Sequence, residues 1–226
     1  MIEGLKPAYN AALRPMARLF IAWGIHPNYI TASSLVFCAL SALETARSHW
    51  IIALLWGCAG SFIDGFDGLV ARESGKITTF GAIFDSSLDR VAEIFWFAGM
   101  IYWYCGKTLW GVLNGGIYLS LAALSASFLI PYIKARCEGA GLVCKSGIMQ
   151  RPERLIIIGL GLLCGPIVIP WALLIIAVVG HITVIERFIV AWREGGKKDR
   201  KEKQISNPLT TLRAGIERRI SNNEVG

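Results

Sequence analysis

Asp64-Gly65-Phe66-Asp67-Gly68-Leu69-Val70-Ala71-Arg72, followed eight residues later by Gly81-Ala82-Ile83-Phe84-Asp85-Ser86-Ser87-Leu88-Asp89, is the stretch on which the reading of this chain turns. Four carboxylates lie inside segments that otherwise read as membrane-spanning. An ionised group at bilayer depth is costly and marks function by default. The surrounding composition agrees with a membrane setting. The 226 residues are 54% hydrophobic and the mean hydropathy is +0.51, values that predict an all-α, polytopic membrane bundle.

Hydropathy places six spans, at roughly 29–46, 50–71, 80–104, 108–133, 154–169 and 171–192. Leu5, Ala8, Ala12, Leu13, Met16, Leu19 and Phe20 recur at helical spacing before them, with Lys6, Arg14 and Arg18 between. That pattern predicts an interfacial amphipathic helix over 4–21, which Pro7 and Pro15 limit or bend. The alternative is a helix packed on a soluble partner. Residues 1–194 thus read as one membrane domain, and 195–226 as a basic cytoplasmic tail that is mobile or lies on lipid, with a short helix near 209–220. No cleavable leader is evident.

The net charge of +7 does not imply nucleic acid, because of where the charges fall. Twenty of the 23 Lys and Arg residues sit at the termini or in the loops after even-numbered spans. Only Arg47 and Lys107 lie on the opposite side, and Arg90 lies within a span. Both termini are therefore expected in the cytoplasm. Trp50, Trp103, Trp110 and Trp171 fall where the outer aromatic belt should be. The six cysteines form no CxxC pair, and the three histidines are scattered. Neither a disulfide framework nor a zinc site is expected, and the cysteines read as small buried residues.

This topology sets the depth of the acids. The loop at 73–79 is cytoplasmic, and Asp64 and Asp89 each lie about nine residues from it, ~13 Å along a helix. Spacing i,i+3 puts Asp64 and Asp67 on one face, and i,i+4 does the same for Asp85 and Asp89. Two antiparallel helices bring the four together, where mutual repulsion calls for divalent cations. Hard oxygen ligands suit Mg²⁺ or Mn²⁺, and a pair of ions suits displacement at phosphorus. Gly65, Gly68 and Gly81 leave room for a ligand, and Arg72 is placed to hold a phosphate. Arg72 and Arg90 are too few to neutralise these acids and Glu93 together, so ion-pair glue is the weaker reading. Glu93 either supports the site or pairs with Arg90. A cation or proton pathway is disfavoured because the acids cluster near one face. Before the first span, Pro27 pre-sets the helix entry and Asn28 or Thr31 can cap it.

The pattern Asp-x2-Asp-Gly-x2-Ala-Arg-x8-Gly-x3-Asp-x3-Asp resembles the signature of the CDP-alcohol phosphotransferases at every fixed position, and the likeness covers about residues 4–193. The resemblance implies transfer of a phosphatidyl-type group from a CDP-linked lipid to an alcohol, with release of CMP. It implies metal ligation by Asp64, Asp67 and Asp85 with help from Asp89, and Asp89 as the base. It implies contacts to the CDP-lipid from Pro27, Asn28, Tyr29, Ile30, Thr31, Gly68, Arg72, Thr78 and Gly81, and a homodimer.

Lys134, Arg154 and Arg187 flank spans at the cytoplasmic side. They read either as ordinary positive-inside residues or as a pocket for a phosphorylated acceptor. Tyr132-Ile-Lys134-Ala-Arg136-Cys-Glu138 with Arg151-Pro-Glu-Arg154-Leu is similar to the branch that uses inositol 1-phosphate, bacterial with diacyl lipid or archaeal with ether lipid. That likeness implies that these three residues bind the acceptor's phosphate. Pro131 departs from the branch, which has a small polar residue there. Glycerol 3-phosphate is the competing acceptor, and a cation-coupled transporter is the alternative from a different class.

Overall fold

A computed structural model describes residues 6–106, 115–144 and 147–206. The expected helix near 209–220, Trp110, Lys107 and Lys145 lie outside them. All regular structure among the described residues is helical: α1 Lys6–Ala22, α2 Pro27–Ala46, α3 Trp50–Glu73, α4 Thr79–Cys105, α5 Gly115–Gly139, α6 Arg151–Cys164 and α7 Ile169–Ser206. Four of them, α2, α3, α5 and α7, are long and apolar enough to cross a membrane. The other two expected spans fall short for identifiable reasons. Helix α4 has the length but carries Asp85, Asp89, Arg90 and Glu93, whereas α6 has only 14 residues.

The chain forms two compact units. Met1–Phe128 with Met149–Gly180 make the first, and Leu129–Ile148 with His181–Gly226 the second. In the first, α2 packs along both α3 and α4, while α1 and α6 pack on α3. Trp96, Phe97 and Met100 of α4 bury against Leu162 of α6 and Leu173 and Ile176 of α7. Gly99 brings α4 close to α2, since a Cβ there would lie 2.5 Å from the Ala42 carbonyl oxygen. Backbone cannot yield as a side-chain tip can. Gly99→Ala is therefore expected to destabilise the protein by roughly 1–3 kcal/mol. Thermal unfolding in detergent would measure it, and an unchanged midpoint would show that α2 and α4 can separate freely. In the second unit, Ile130, Ile133, Cys137, Cys144 and Val184 form the core.

Several boundaries differ from the sequence reading. Helix α1 runs through Pro15 without stopping and packs Leu13 and Ala17 against Phe66, Leu69 and Val70. The cap of α2 is neither Asn28 nor Thr31. His26 Nδ1 accepts from the Asn28 amide at 3.3 Å, with Pro27 at the first helical position. The fifth segment stops at Cys164, where Gly165 takes φ +81 ahead of Pro166. Helix α7 does not end near 192 but continues through Gly195 and Gly196 to Ser206. Lys, Arg and Glu are good helix formers, and Lys197 to Glu194 at 2.6 Å supports the polar extension. All six thiols are free, but only Cys38, Cys137 and Cys144 are buried; Cys58, Cys105 and Cys164 are exposed.

Candidate metal and nucleotide site

The site is built by the ends of α3 and α4 that meet across the short 74–78 connection. Helix α3 ends where Gly75 adopts φ +66, a left-handed turn that favours glycine, and the Lys76 amide returns to the Ala71 carbonyl at 3.0 Å. Helix α4 begins on Thr78, whose hydroxyl accepts from the Gly81 amide at 2.9 Å. A Cβ at position 81 would sit 2.9 Å from that hydroxyl and 3.6 Å from Asn28 Oδ1, so glycine is required for cap and turn to approach.

One carboxylate oxygen from each of Asp64, Asp67 and Asp85 falls within 4.8 Å of the others. Asp67 is the most buried of the three. Its Oδ2 accepts from the Thr31 hydroxyl, which also lies 3.2 Å from the Pro27 carbonyl. The α2 entry turn is thus tied directly to an acid of α3. Three crowded hard-oxygen donors in partial burial fit a divalent cation better than they fit one another.

Asp89 is not in that trio. Its Oδ1 lies 2.6 Å from Arg151 Nη1, and the same nitrogen donates to Asp64 Oδ2 at 2.8 Å. The sequence reading did not place Arg151 at the acids. Its signal was available: it stands i,i+3 from Arg154 at the start of a helix. Arg90, one of the two readings for Glu93's partner, instead donates to the Ser86 carbonyl. Glu93 pairs with Arg154, and both are buried.

Pro27, Asn28, Thr31, Gly68, Arg72, Thr78 and Gly81 line a cavity of about 290 Å³ together with Asp67, Asp85 and Lys76. It therefore joins the acids to two cations. Tyr29 and Ile30 lie elsewhere. Ile30 is buried against α1 and α3, and Tyr29 is 73% exposed beside an apolar groove of about 320 Å³ lined also by Phe20 and Phe62. Of the three basic residues assigned to an acceptor, Arg154 lies in the first unit, engaged by Glu93. Lys134 and Arg187 lie in the second. Lys134 is exposed, 3.8 Å from Glu138, and buried Arg187 donates to the Ile130 carbonyl.

Membrane-type helices around three crowded hard-oxygen donors, beside a cavity that Arg72 and Lys76 also line, define a class: an integral-membrane protein with a candidate cation site at the ends of two helices. Comparison with known proteins gives the family. Residues 24–183 match the family model for CDP-alcohol phosphatidyltransferase. The archaetidylinositol phosphate synthase of Methanothermobacter thermautotrophicus is 35% identical over 201 residues, 85% of this chain and 95% of that protein. The phosphatidylinositol phosphate synthase of Corynebacterium glutamicum is 35% identical over 84% of this chain and 88% of its own length. The crystal structure of the Mycobacterium tuberculosis phosphatidylinositol phosphate synthase with CDP-DAG bound superposes with a TM-score of 0.73 at 29% identity, covering 79% of this chain and 92% of that one. The same enzyme with manganese and citrate gives 0.72 at 28% identity, over 79% and 88%. The chain belongs to the CDP-alcohol phosphatidyltransferase family and is a transferase of phospholipid biosynthesis, with an acid trio that could hold a divalent cation.

Proposed function

We propose that this protein transfers a phosphatidyl group from CDP-diacylglycerol to inositol 1-phosphate, giving phosphatidylinositol phosphate and CMP. The observation that carries the reading is the cavity in which Asp67 and Asp85 face Arg72 and Lys76. Carboxylates suited to cations and cations suited to phosphate share one space, as a nucleotide diphosphate requires. The relatives with inositol phosphate in their names support the acceptor, and the CDP-DAG complex of the mycobacterial enzyme supports the donor.

Asp64, Asp67 and Asp85, with Asp89, would hold the divalent ions, Mg²⁺ or Mn²⁺ and two in number. When bound, such ions supply neutralisation of the diphosphate and of the leaving CMP. The chain's own residues do the rest. Arg72 pairs with a phosphate of the nucleotide. Thr78, Gly81, Gly68 and Pro27, Asn28 and Thr31 of the α2 entry turn enclose the CDP headgroup, while Tyr29 and Ile30 border the neighbouring apolar groove. The acceptor hydroxyl oxygen attacks the lipid-side phosphorus. Its proton passes to an Asp89 carboxylate oxygen, a P–O bond forms, and the P–O bond to CMP breaks. Lys134, Arg154 and Arg187 are assigned to the acceptor's phosphate on the strength of their sequence motif.

In the same reading the chain crosses the cytoplasmic membrane six times as a homodimer. Helix α1 lies in the interface, with both termini and the site on the cytoplasmic side. Residues 1–194 form the enzyme, and 195–226 a basic cytoplasmic extension. One observation favours a second donor. The archaeal relative matches as well as the bacterial one, which makes a CDP-linked archaeal ether lipid the alternative.

The test is a substrate screen on the purified protein with CDP-diacylglycerol, Mg²⁺ and labelled inositol 1-phosphate. CMP and a phosphorylated inositol lipid are expected in equal amounts. Product from glycerol 3-phosphate but not from inositol 1-phosphate would overturn the acceptor assignment while leaving the family reaction in place. Turnover with the ether-lipid donor alone would overturn the diacyl assignment.

A further inference from the structure

Helix α6 meets the acid-bearing helix α4 through two rungs. Arg151 reaches Asp89, and Arg154 reaches Glu93. The arginines are spaced i,i+3 and the acids i,i+4, so the rungs lie one turn apart on both helices. The start of α6 is itself fixed, because the Glu153 carboxylate accepts from the Gln150 amide at 3.1 Å. Register, rotation and helix origin therefore all converge on where the Arg151 guanidinium sits.

That guanidinium makes an unusual pair of contacts. One nitrogen, Nη1, serves both Asp64 Oδ2 at 2.8 Å and Asp89 Oδ1 at 2.6 Å. Asp89 Oδ1 is buried and accepts no hydrogen bond among the described residues. Arg151 is thus the nearby charge that holds this oxygen, and it bridges from Asp89 to the trio of Asp64, Asp67 and Asp85.

We propose that Arg151 is a positioning residue: a tethered counter-cation at the edge of the carboxylate cluster that orients Asp89 and opposes the charge of any divalent ion held beside it. The proposal rests on the reading of Asp89 as the base. Two consequences have opposite signs. Removing the cation relieves electrostatic opposition, so divalent ions bind more tightly. The same change releases Asp89 from its orientation, so turnover slows. A scaffold residue would lower both together. Because a single nitrogen makes both contacts, a lysine ammonium can replace it as a point charge, where a two-pronged guanidinium contact could not be replaced that way.

The experiment compares parent, Arg151→Gln and Arg151→Lys as full-length protein in detergent, with Mn²⁺ affinity read by electron paramagnetic resonance alongside kcat and KM. For Arg151→Gln, the Mn²⁺ Kd is expected to fall about tenfold and kcat to fall roughly 10²-fold, with the KM for CDP-diacylglycerol within about threefold. Arg151→Lys is expected to return kcat to within about tenfold of the parent and the Kd to within about threefold. The double variant Asp89→Asn/Arg151→Gln is expected to match Asp89→Asn alone in kcat, since both act through one group.

A weakened Mn²⁺ affinity in Arg151→Gln, an unchanged kcat, a Lys variant as poor as the Gln variant, or an additive loss in the double variant would each overturn the proposal. Should Arg151→Gln fail to fold, the Lys variant alone decides by the same limits. Absence of CMP release from the parent would instead overturn the functional reading, while the Mn²⁺ measurement would still decide the counter-cation role.

Discussion

Asp89→Asn is expected to lower CMP release by about 10³-fold while Mn²⁺ and CDP-lipid binding persist. Asp89 stands outside the trio whose oxygens converge within 4.8 Å, so losing its charge leaves that trio intact. Asparagine keeps the volume and one carbonyl oxygen, which can still face Arg151 Nη1. What it loses is the capacity, assigned to Asp89 in the proposed reaction, to take a proton from the acceptor hydroxyl. A base is worth roughly 10²–10⁴ in rate, which sets the size of the effect. The measurement is steady-state CMP release beside equilibrium Mn²⁺ binding. If turnover survived within tenfold, another group would have to be the base. If turnover and Mn²⁺ binding fell together, Asp89 would be chiefly a ligand.

Asp67→Asn is expected to do the reverse, lowering Mn²⁺ affinity by more than about 100-fold and activity with it. Asp67 is the most enclosed of the trio and the one tied to the α2 turn through Thr31. Replacing it neutralises a proposed ligand and also removes one of three crowded negative charges. With a chelator present, the variant should therefore unfold at a temperature equal to or above that of the parent. On adding Mn²⁺, the parent gains stability through binding and the variant gains almost none. Thermal unfolding with and without Mn²⁺ checks both halves. A variant less stable than the parent in chelator would show that Asp67 serves the fold through Thr31 more than it serves the cation.

These residues were legible because their information is local. Spacings of three and four, with glycines between, put the acids on helix faces whatever the rest of the chain does. Hydropathy likewise found six of the helices, and an amphipathic repeat found the seventh. What it marked, however, was where apolar residues end, not where helices end. Helix α7 runs on because lysine and glutamate sustain a helix as well as leucine does. The ion pairs were hidden for a different reason. Arg151 meets Asp64 from 87 positions away, and Arg154 meets Glu93 from 61. No local pattern states such partners, and of the two readings for Glu93 the one that paired it with Arg90, nearer in sequence, does not hold. The His26 cap was missed because the side chains usual at that position, Asn and Thr, stand a few residues further on.

The shortness of α6 has a consequence for solubility inside the membrane. Fourteen residues rise only about 21 Å, whereas bilayer hydrocarbon is roughly 30 Å thick. Arg151 is the first residue of that helix, so the guanidinium beside Asp89 begins where this stretch of protein stops being lipid-like. On the α6 side, depth is reached by starting the helix late and not by carving a channel through it. In the proposed reaction, a water-borne acceptor and a lipid-borne nucleotide can then meet at one level, each having stayed in its own solvent.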